Sequence, residues 1–414
     1  MPASNSPHLH IAIPAMDELN WRPRTLESAA AQLTTHPFTL YVCVNQPDAW
    51  WDDTEKDSVC RNNAELLDLL SEFGSTHMGL DLVVLDRSSK GKGWTGKNSG
   101  VGWARKVLFD HILSIADDND LLISMDADTE FDNGYFESVA ANFAKHGQWL
   151  AISMPYYHRF PQGDEAAGRA ILHYEIYMRN FALNMLEIGS PYAFTAMGSA
   201  IAARVSALRK IGGITPLKSG EDFYLLQKLR KMGEIGTWNS ECVYPAARFS
   251  DRVAFGTGPA LIRGTGGDWS SYPIYHHRLF QKIAETYRQL ELLYQEDVET
   301  EFLEFLQMQF KERDLWRSIR QNVKEPSQFV RAFHEKADGL RILQFLRWEQ
   351  NRENTPEISA LTDNLELFLA KEESESILPY CSSYESLSQL PTEMLSAIRD
   401  IMFKAEMRKR KEMA

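Results

Sequence analysis

The chain has 414 residues, of which 44% are hydrophobic and 11% aromatic, which suits two or three domains with a sizeable core and excludes collagen-like, disordered and disulfide-scaffold classes. Lys and Arg number 44 against 57 Asp and Glu, a net charge of −13, and this argues against a general nucleic-acid binder, whose footprint is basic. An anionic small substrate stays open, because a metal ion or a local arginine cluster reverses the field inside one cleft.

The first elements alternate in type. His10–Pro14 is a short apolar run ended by proline, a strand feeding a loop. Residues 25–33 have helical spacing, and Phe38–Val44 is a β-branched and aromatic strand followed by a polar loop with Trp50 and Trp51. A helix over 65–73, a strand over 82–85, a helix over 102–116 and strands over 121–125 and 150–154 follow. Such alternation predicts βαβ units and a largely parallel, covered sheet. From about Tyr275 the texture changes. Residues 279–294, 302–310, 329–348, 358–370 and 393–411 carry apolar residues at helical spacing, with Pro326, Pro356, Pro379 and Pro391 as punctuation. The expected organisation is an α/β domain over residues 1–270 and an all-helical C-terminal region over 275–414.

Cys43, Cys60, Cys242 and Cys381 form no C-x-x-C pair, so neither a zinc site nor a disulfide framework is expected, and a reducing compartment is. No run of 18 apolar residues is present, and the first eight residues lack the pattern of a secretory signal. The expectation is a cytoplasmic protein, at most peripheral to the inner face of a membrane. The basic end at Arg408–Lys411 reads as a solvated helix end rather than an anchor.

Four segments carry possible chemistry. Asp126-Ala127-Asp128 follows the fourth strand, and ligands of parallel sheets collect at strand carboxyl ends. Two carboxylates there suit a hard divalent cation; alone, D-x-D equally describes a solvated turn or helix cap. Gly220-Glu221-Asp222 opens a helix, where the acids either favour the helix N-terminus or supply a general base. Arg248 and Arg252, ahead of Gly256-Thr257-Gly258, suit either a phosphate contact or a surface ion-pair segment with a glycine turn. The run Ser89–Arg105 is glycine-rich and basic, with Lys97 and Arg105 able to meet an anion, but Asn98 after Lys97 breaks the P-loop order.

Read together, these segments resemble the family 2 glycosyltransferases of GT-A fold, over roughly residues 9–265. Ile11–Glu18 resembles the opening strand, Gly100–Lys106 the helix start before the D-x-D strand, and Asp126–Asp128 the D-x-D itself. Gly198–Arg204 with Ile211-Gly212-Gly213 resembles the acceptor-side strand and its glycine turn, and Glu221-Asp222 the family's E-D motif. The resemblance implies a Rossmann-like, mostly parallel mixed sheet and a metal-dependent, inverting, hexosyltransferase-like transfer. The sugar would pass from a nucleotide-diphosphate donor to a glycan, lipid or protein hydroxyl, in cell-surface glycan synthesis. Asp222 would be the base, with Glu221 orienting it or the acceptor. Asp126 and Asp128 would hold Mg²⁺ or Mn²⁺, Asp126 touching the metal or the donor ribose, and His277 could add a late ligand. Arg248 and Arg252 would face the diphosphate, with Lys97 and Arg105 as weaker candidates, and Asp17 and Glu18 would lie near the nucleotide.

The sequence departs from the family in two places. Its second strand ends Val44-Asn45-Gln46 where the family has Asp-Asp-Gly-Ser, so Asn45, or Asp86 after the third strand, would read the nucleobase instead. Neither Q-x-x-R-W nor membrane helices are found, which argues against a processive synthase. Two other functions compete. A sugar nucleotidyltransferase would need a glycine-rich loop after the first strand, and Ile11–Asn20 has no glycine. A catalytically silent nucleotide-sugar-binding module would have no need of Asp126, Asp128 and Asp222 together.

Overall fold

In the computed structural model of the chain, residues 6–20, 22–250, 257–381 and 383–414 are described, residues 22 and 23 by backbone alone. The chain divides into two compact units: Met1–Ile171 with Phe194–Thr265, and Leu172–Ala193 with Gly266–Ala414.

The first unit holds strands β1 (Leu9–Ala15), β2 (Phe38–Asn45), β3 (Asp81–Arg87), β4 (Leu121–Ser124), β5 (Thr129–Phe131), β6 (Trp149–Ser153), β7 (Ile201–Arg204), β8 (Glu234–Gly236) and β9 (Val243–Pro245). Its helices are α1 (Arg22–Ala30), α2 (Asp57–Thr76), α3 (Val101–Ile115), α4 (Tyr135–Lys145), the start of α5 (Glu165–Glu187), α6 (Val205–Lys210), α7 (Glu221–Met232) and α8 (Thr257–Thr265). Seven strands form one sheet in the order β3-β2-β1-β4-β7-β6-β8, and β5 pairs with β9 in a second, two-stranded one. β1 lies parallel to β2 and β4, and β2 parallel to β3. β7 runs antiparallel between β4 and β6, so the sheet is mixed but mostly parallel.

All seven residues of β1 are buried, which is why this strand reads as a continuous apolar run rather than an alternating one. Helix α3 packs on one face through Ala104, Leu108 and Ile112, in a core shared with Ala12, Tyr41, Ile201 and Leu226. Two pairings decide where chemistry can sit. Met125 N–H donates to Ala12 O at 3.0 Å, so the carboxyl ends of β1 and β4 lie side by side. Antiparallel pairing of Ile201 with Ser124 brings the residues just before β7 to the same sheet edge.

The second unit comprises the end of α5 with α9 (His277–Arg288), α10 (Leu290–Gln295), α11 (Glu301–Phe310), α12 (Leu315–Asn322), α13 (Pro326–Lys336), α14 (Gly339–Glu353), α15 (Glu357–Phe368), α16 (Lys371–Cys381) and α17 (Thr392–Glu412). The expected helix over 329–348 is two helices, because the Asp338 side chain accepts from Arg341 N–H and starts α14 anew. Leu361, Leu365, Ile398 and Met402 lie in its core. A buried charge network crosses it: Glu175 pairs with Arg179 and Arg399, and Glu406 with Arg179 and Arg410. Among the described residues no helix is long and apolar enough to cross a membrane.

Candidate active site

The turn after β4 is pinned from α1: Thr25 Oγ1 donates to Ala127 O at 2.7 Å and Thr129 O at 2.8 Å. The two aspartates that flank Ala127 meet different cations. Asp126 Oδ1 accepts from Arg105 Nη2. Asp128 Oδ2 accepts from Arg248 Nε at 2.8 Å, and Arg248 Nη2 also holds Glu18 Oε1 at 2.5 Å. Glu18 is 5% exposed, so this arginine neutralises a buried carboxylate and half of the D-x-D together.

Arg105 is the centre of the second group. It lies in the second turn of α3, 4% exposed, and its Nη1 donates to Glu221 Oε1 while Nη2 holds Asp126. Glycines make this possible. A Cβ at Gly198 would overlap the Arg105 guanidinium, and one at Gly102 would overlap the Leu217 carbonyl, so α3 and the loop before α7 touch backbone to backbone. Gly220 then adopts φ 77°, a left-handed turn open to glycine, and launches Glu221 and Asp222 at the start of α7.

Asp222 is half-buried, and Phe223 N–H donates to its Oδ1 at 2.7 Å. Burial, and next the negative charge of Glu221, push its pKa up to about 6, while Arg105 pulls the other way. Asp126 adds to the rise, so Asp222 and the strand-end carboxylate sit in one electrostatic field. Asp126, Asp128, Glu18, Glu221 and Asp222 thus gather around the guanidiniums of Arg105 and Arg248.

The remaining expected residues have other surroundings. Asp17 takes φ 58° and its N–H donates to Asn63 Oδ1 at 2.8 Å, next to Glu18. Asn45 is 2% exposed; it donates to Ala15 O at 2.9 Å and accepts from Trp94 Nε1 at 3.0 Å, which ties the end of β2 to the glycine-rich loop. Asp86 folds the loop after β3. Burial raises its pKa, but bonds from Ser89, Lys92 and Ser88 outweigh that and hold it well below the ordinary carboxylate range. Lys97 is exposed. Arg252 lies outside the described residues. His277 opens α9 in the helical unit, with its N–H on Asn364 Oδ1 at 2.7 Å. Burial, then the neighbouring His276, lowers its pKa.

Arg105, expected as a weaker diphosphate contact, has its guanidinium enclosed by two carboxylates, which it orients. Among the described residues no group of three or more His, Cys, Asp and Glu is placed to hold a metal. The acidic oxygens of Asp126 and Asp128 still match the donor preference of Mg²⁺ or Mn²⁺. Asp128 also lines a cavity of about 490 Å³ with Arg24, Glu130, Arg159, Phe160 and Tyr244. None of these five stood out in the sequence: Arg24 lies on α1, Glu130 on β5, Tyr244 on β9, and Arg159 and Phe160 in the loop after β6.

No protein-family model and no curated protein matches the chain. Among solved structures it is similar to the Staphylococcus aureus protein TarS, residues 1–349, in complex with UDP-GlcNAc, with 13% identity, TM-score 0.41, and 96% of this chain and 90% of that one covered. It is also similar to the mannosyltransferase PcManGT from Pyrobaculum calidifontis, in complex with GDP-Man and Mn²⁺, with 13% identity, TM-score 0.38, and 98% and 88% covered. At these scores the likeness decides neither family nor activity.

Proposed function

We propose that the chain transfers a sugar from a nucleotide-diphosphate donor to an acceptor hydroxyl with inversion, as a non-processive, hexosyltransferase-like member of the family 2, GT-A glycosyltransferases. The observation that carries this reading is the Arg105 bridge. One buried guanidinium joins the carboxylate at the end of β4 to the first residue of α7, and so unites two motifs far apart in sequence beside Asp222.

Asp222 is the general base. A carboxylate with its pKa near 6 is ionised at neutral pH yet more basic than an exposed one, and this suits it to take the acceptor proton. The acceptor oxygen forms a bond to the anomeric carbon as the bond to the diphosphate breaks, and that electron pair leaves on the phosphate oxygen. Glu221, clamped by Arg105, holds the start of α7 in position. Asp126 and Asp128 would hold Mg²⁺ or Mn²⁺, which when bound neutralises charge on the diphosphate. Arg248 sits on Asp128 and is the guanidinium best placed to pass to a phosphate. Asp17 and Glu18, at the end of β1, border the same sheet edge.

The test is a panel of nucleotide-diphosphate sugars with Mn²⁺, read by thermal shift and by NMR of the transfer product. At least one donor should stabilise the protein and yield a product of opposite anomeric configuration. Asp128→Ala should remove the metal-dependent part of that stabilisation. A product that retains the donor configuration, or stabilisation of Asp128→Ala equal to that of the parent, contradicts the reading.

A further inference from the structure

The cavity beside Asp128 has a wall that the transfer chemistry does not use. After β6 the chain runs along β9: Val243 N–H donates to Pro155 O at 3.0 Å, and Tyr157 N–H to Val243 O at 2.9 Å. This carries Arg159 onto the ring of Tyr244, with its guanidinium 3.9 Å from the ring centroid. Glu130 on β5 pairs with Arg159 at 2.6 Å and with Arg24 at 3.1 Å. The cavity volume of about 490 Å³ lies within the range of roughly 300–1,000 Å³ typical of small-molecule sites.

Phe160 is the unusual member. It is 42% exposed, yet its ring is seated: a Cβ at Gly168, in the first turns of α5, would overlap three of its ring atoms. Glycine inside a helix costs about 1 kcal/mol relative to alanine. Here it lets one edge of the ring rest on helix backbone while the ring still lines the cavity. Asp164 caps the same helix, accepting from Ala167 N–H at 2.9 Å, so the seat itself is anchored.

We propose that this cavity is a saccharide subsite that receives a neutral, hydroxyl-rich acceptor, with Phe160 as the platform for a sugar ring. The assignment of the saccharide as acceptor rests on the sugar-transfer reading. Guanidinium forks donate to hydroxyl oxygens and carboxylates accept from hydroxyl protons, and both kinds of group line one wall with an aromatic face. Neutrality follows from the pairing. Glu130 bridges both arginines, Asp132 lies 4.0 Å from Arg159 as the second negative charge, and Glu27 and Asp128 line the same cavity, so no uncompensated positive charge awaits an anion.

The experiment uses the full chain with cellobiose, lactose and N,N′-diacetylchitobiose at millimolar concentration, read by saturation-transfer NMR. At least one sugar should bind the parent protein. Phe160→Ala should weaken that binding about tenfold, the scale of one stacked ring. Gly168→Ala should weaken it as well, because it displaces the ring while favouring the helix, which separates lost binding from lost folding. In transfer assays both variants should raise the acceptor KM and leave the donor KM unchanged. Binding of none of the three sugars to the parent, equal binding to all three proteins, or displacement of the sugar by UDP or GDP overturns the subsite. Sugar binding that depends on Phe160 in a protein that transfers nothing supports the saccharide site and removes the transfer reading alone.

Discussion

Opposing influences meet at Asp222: burial, Glu221 and Asp126 raise its pKa, Arg105 and the Phe223 N–H lower it, and the balance lies at about 6. A base of this kind works only when ionised. The turnover rate should therefore climb with pH through about 6 and level off above it; a rate flat from pH 5 to pH 8 contradicts the role. The same shift bears on stability with a definite sign. Because the folded pKa lies above the ordinary value of 3.8, the protonated form's stabilisation is complete below that value and is lost as pH rises through about 6. Asp222→Asn, which keeps the oxygen that accepts from Phe223 N–H, should stabilise the protein at pH 8 by on the order of 1 kcal/mol and give little gain at pH 4. Urea melts at the two pH values check this. Arg105 makes a sharper prediction. Replacing it with Met strands Glu221, 3% exposed, and should cost about 3–5 kcal/mol; the added change Glu221→Gln should recover part of that loss.

At the scale of elements, the site depends on how closely α3, β7 and α7 approach one another. Gly102 and Gly198 are the two points where this approach leaves no room for a Cβ. The obstacle differs between them. At Gly102 it is the Leu217 carbonyl, backbone that cannot swing aside, so Gly102→Ala should destabilise by about 1–3 kcal/mol in chemical denaturation. At Gly198 it is the end of a side chain, and Gly198→Ala should instead turn Arg105 away from Asp126 and Glu221. Activity should fall more than stability there, measured as kcat against melting temperature. Unchanged kcat in Gly198→Ala argues that the Arg105 bridge has no part in the reaction.

Over the whole molecule, the buried charges of the helical unit form a second stabilising network that is independent of the site chemistry. Glu406 serves Arg179 and Arg410, which are 1% and 0% exposed. Glu406→Ala should cost about 3–5 kcal/mol by leaving both guanidiniums without this partner. Amide exchange should show the loss around α17 first. Burial and position within an element decided what was legible in the sequence. Strands such as β1 and β2 read as near-continuous apolar runs, interrupted by His10 in one and by Thr39 and Asn45 in the other, because both faces are covered, and D-x-D and Glu221-Asp222 stand at element ends, where a motif is visible. Helix α5 escaped notice because Glu175, Arg179 and His173 are buried among its apolar residues and blur the period. Strands β5 and β9 have three residues each, too few for any period. The partnership of Arg105 with Glu221, and the seat of Phe160 on Gly168, are long-range or steric facts that no local pattern carries.

In the proposed reaction, the aspartate at the start of α7 removes the acceptor proton while the strand-end pair serves the donor. Single-turnover transfer by Asp222→Asn, measured beside donor-induced thermal stabilisation of the same protein, separates these two roles. Stabilisation should equal the parent's, and the transfer rate should be lower by about 10²–10⁴. Transfer at the parental rate, or loss of donor binding in step with loss of transfer, would contradict this division of roles.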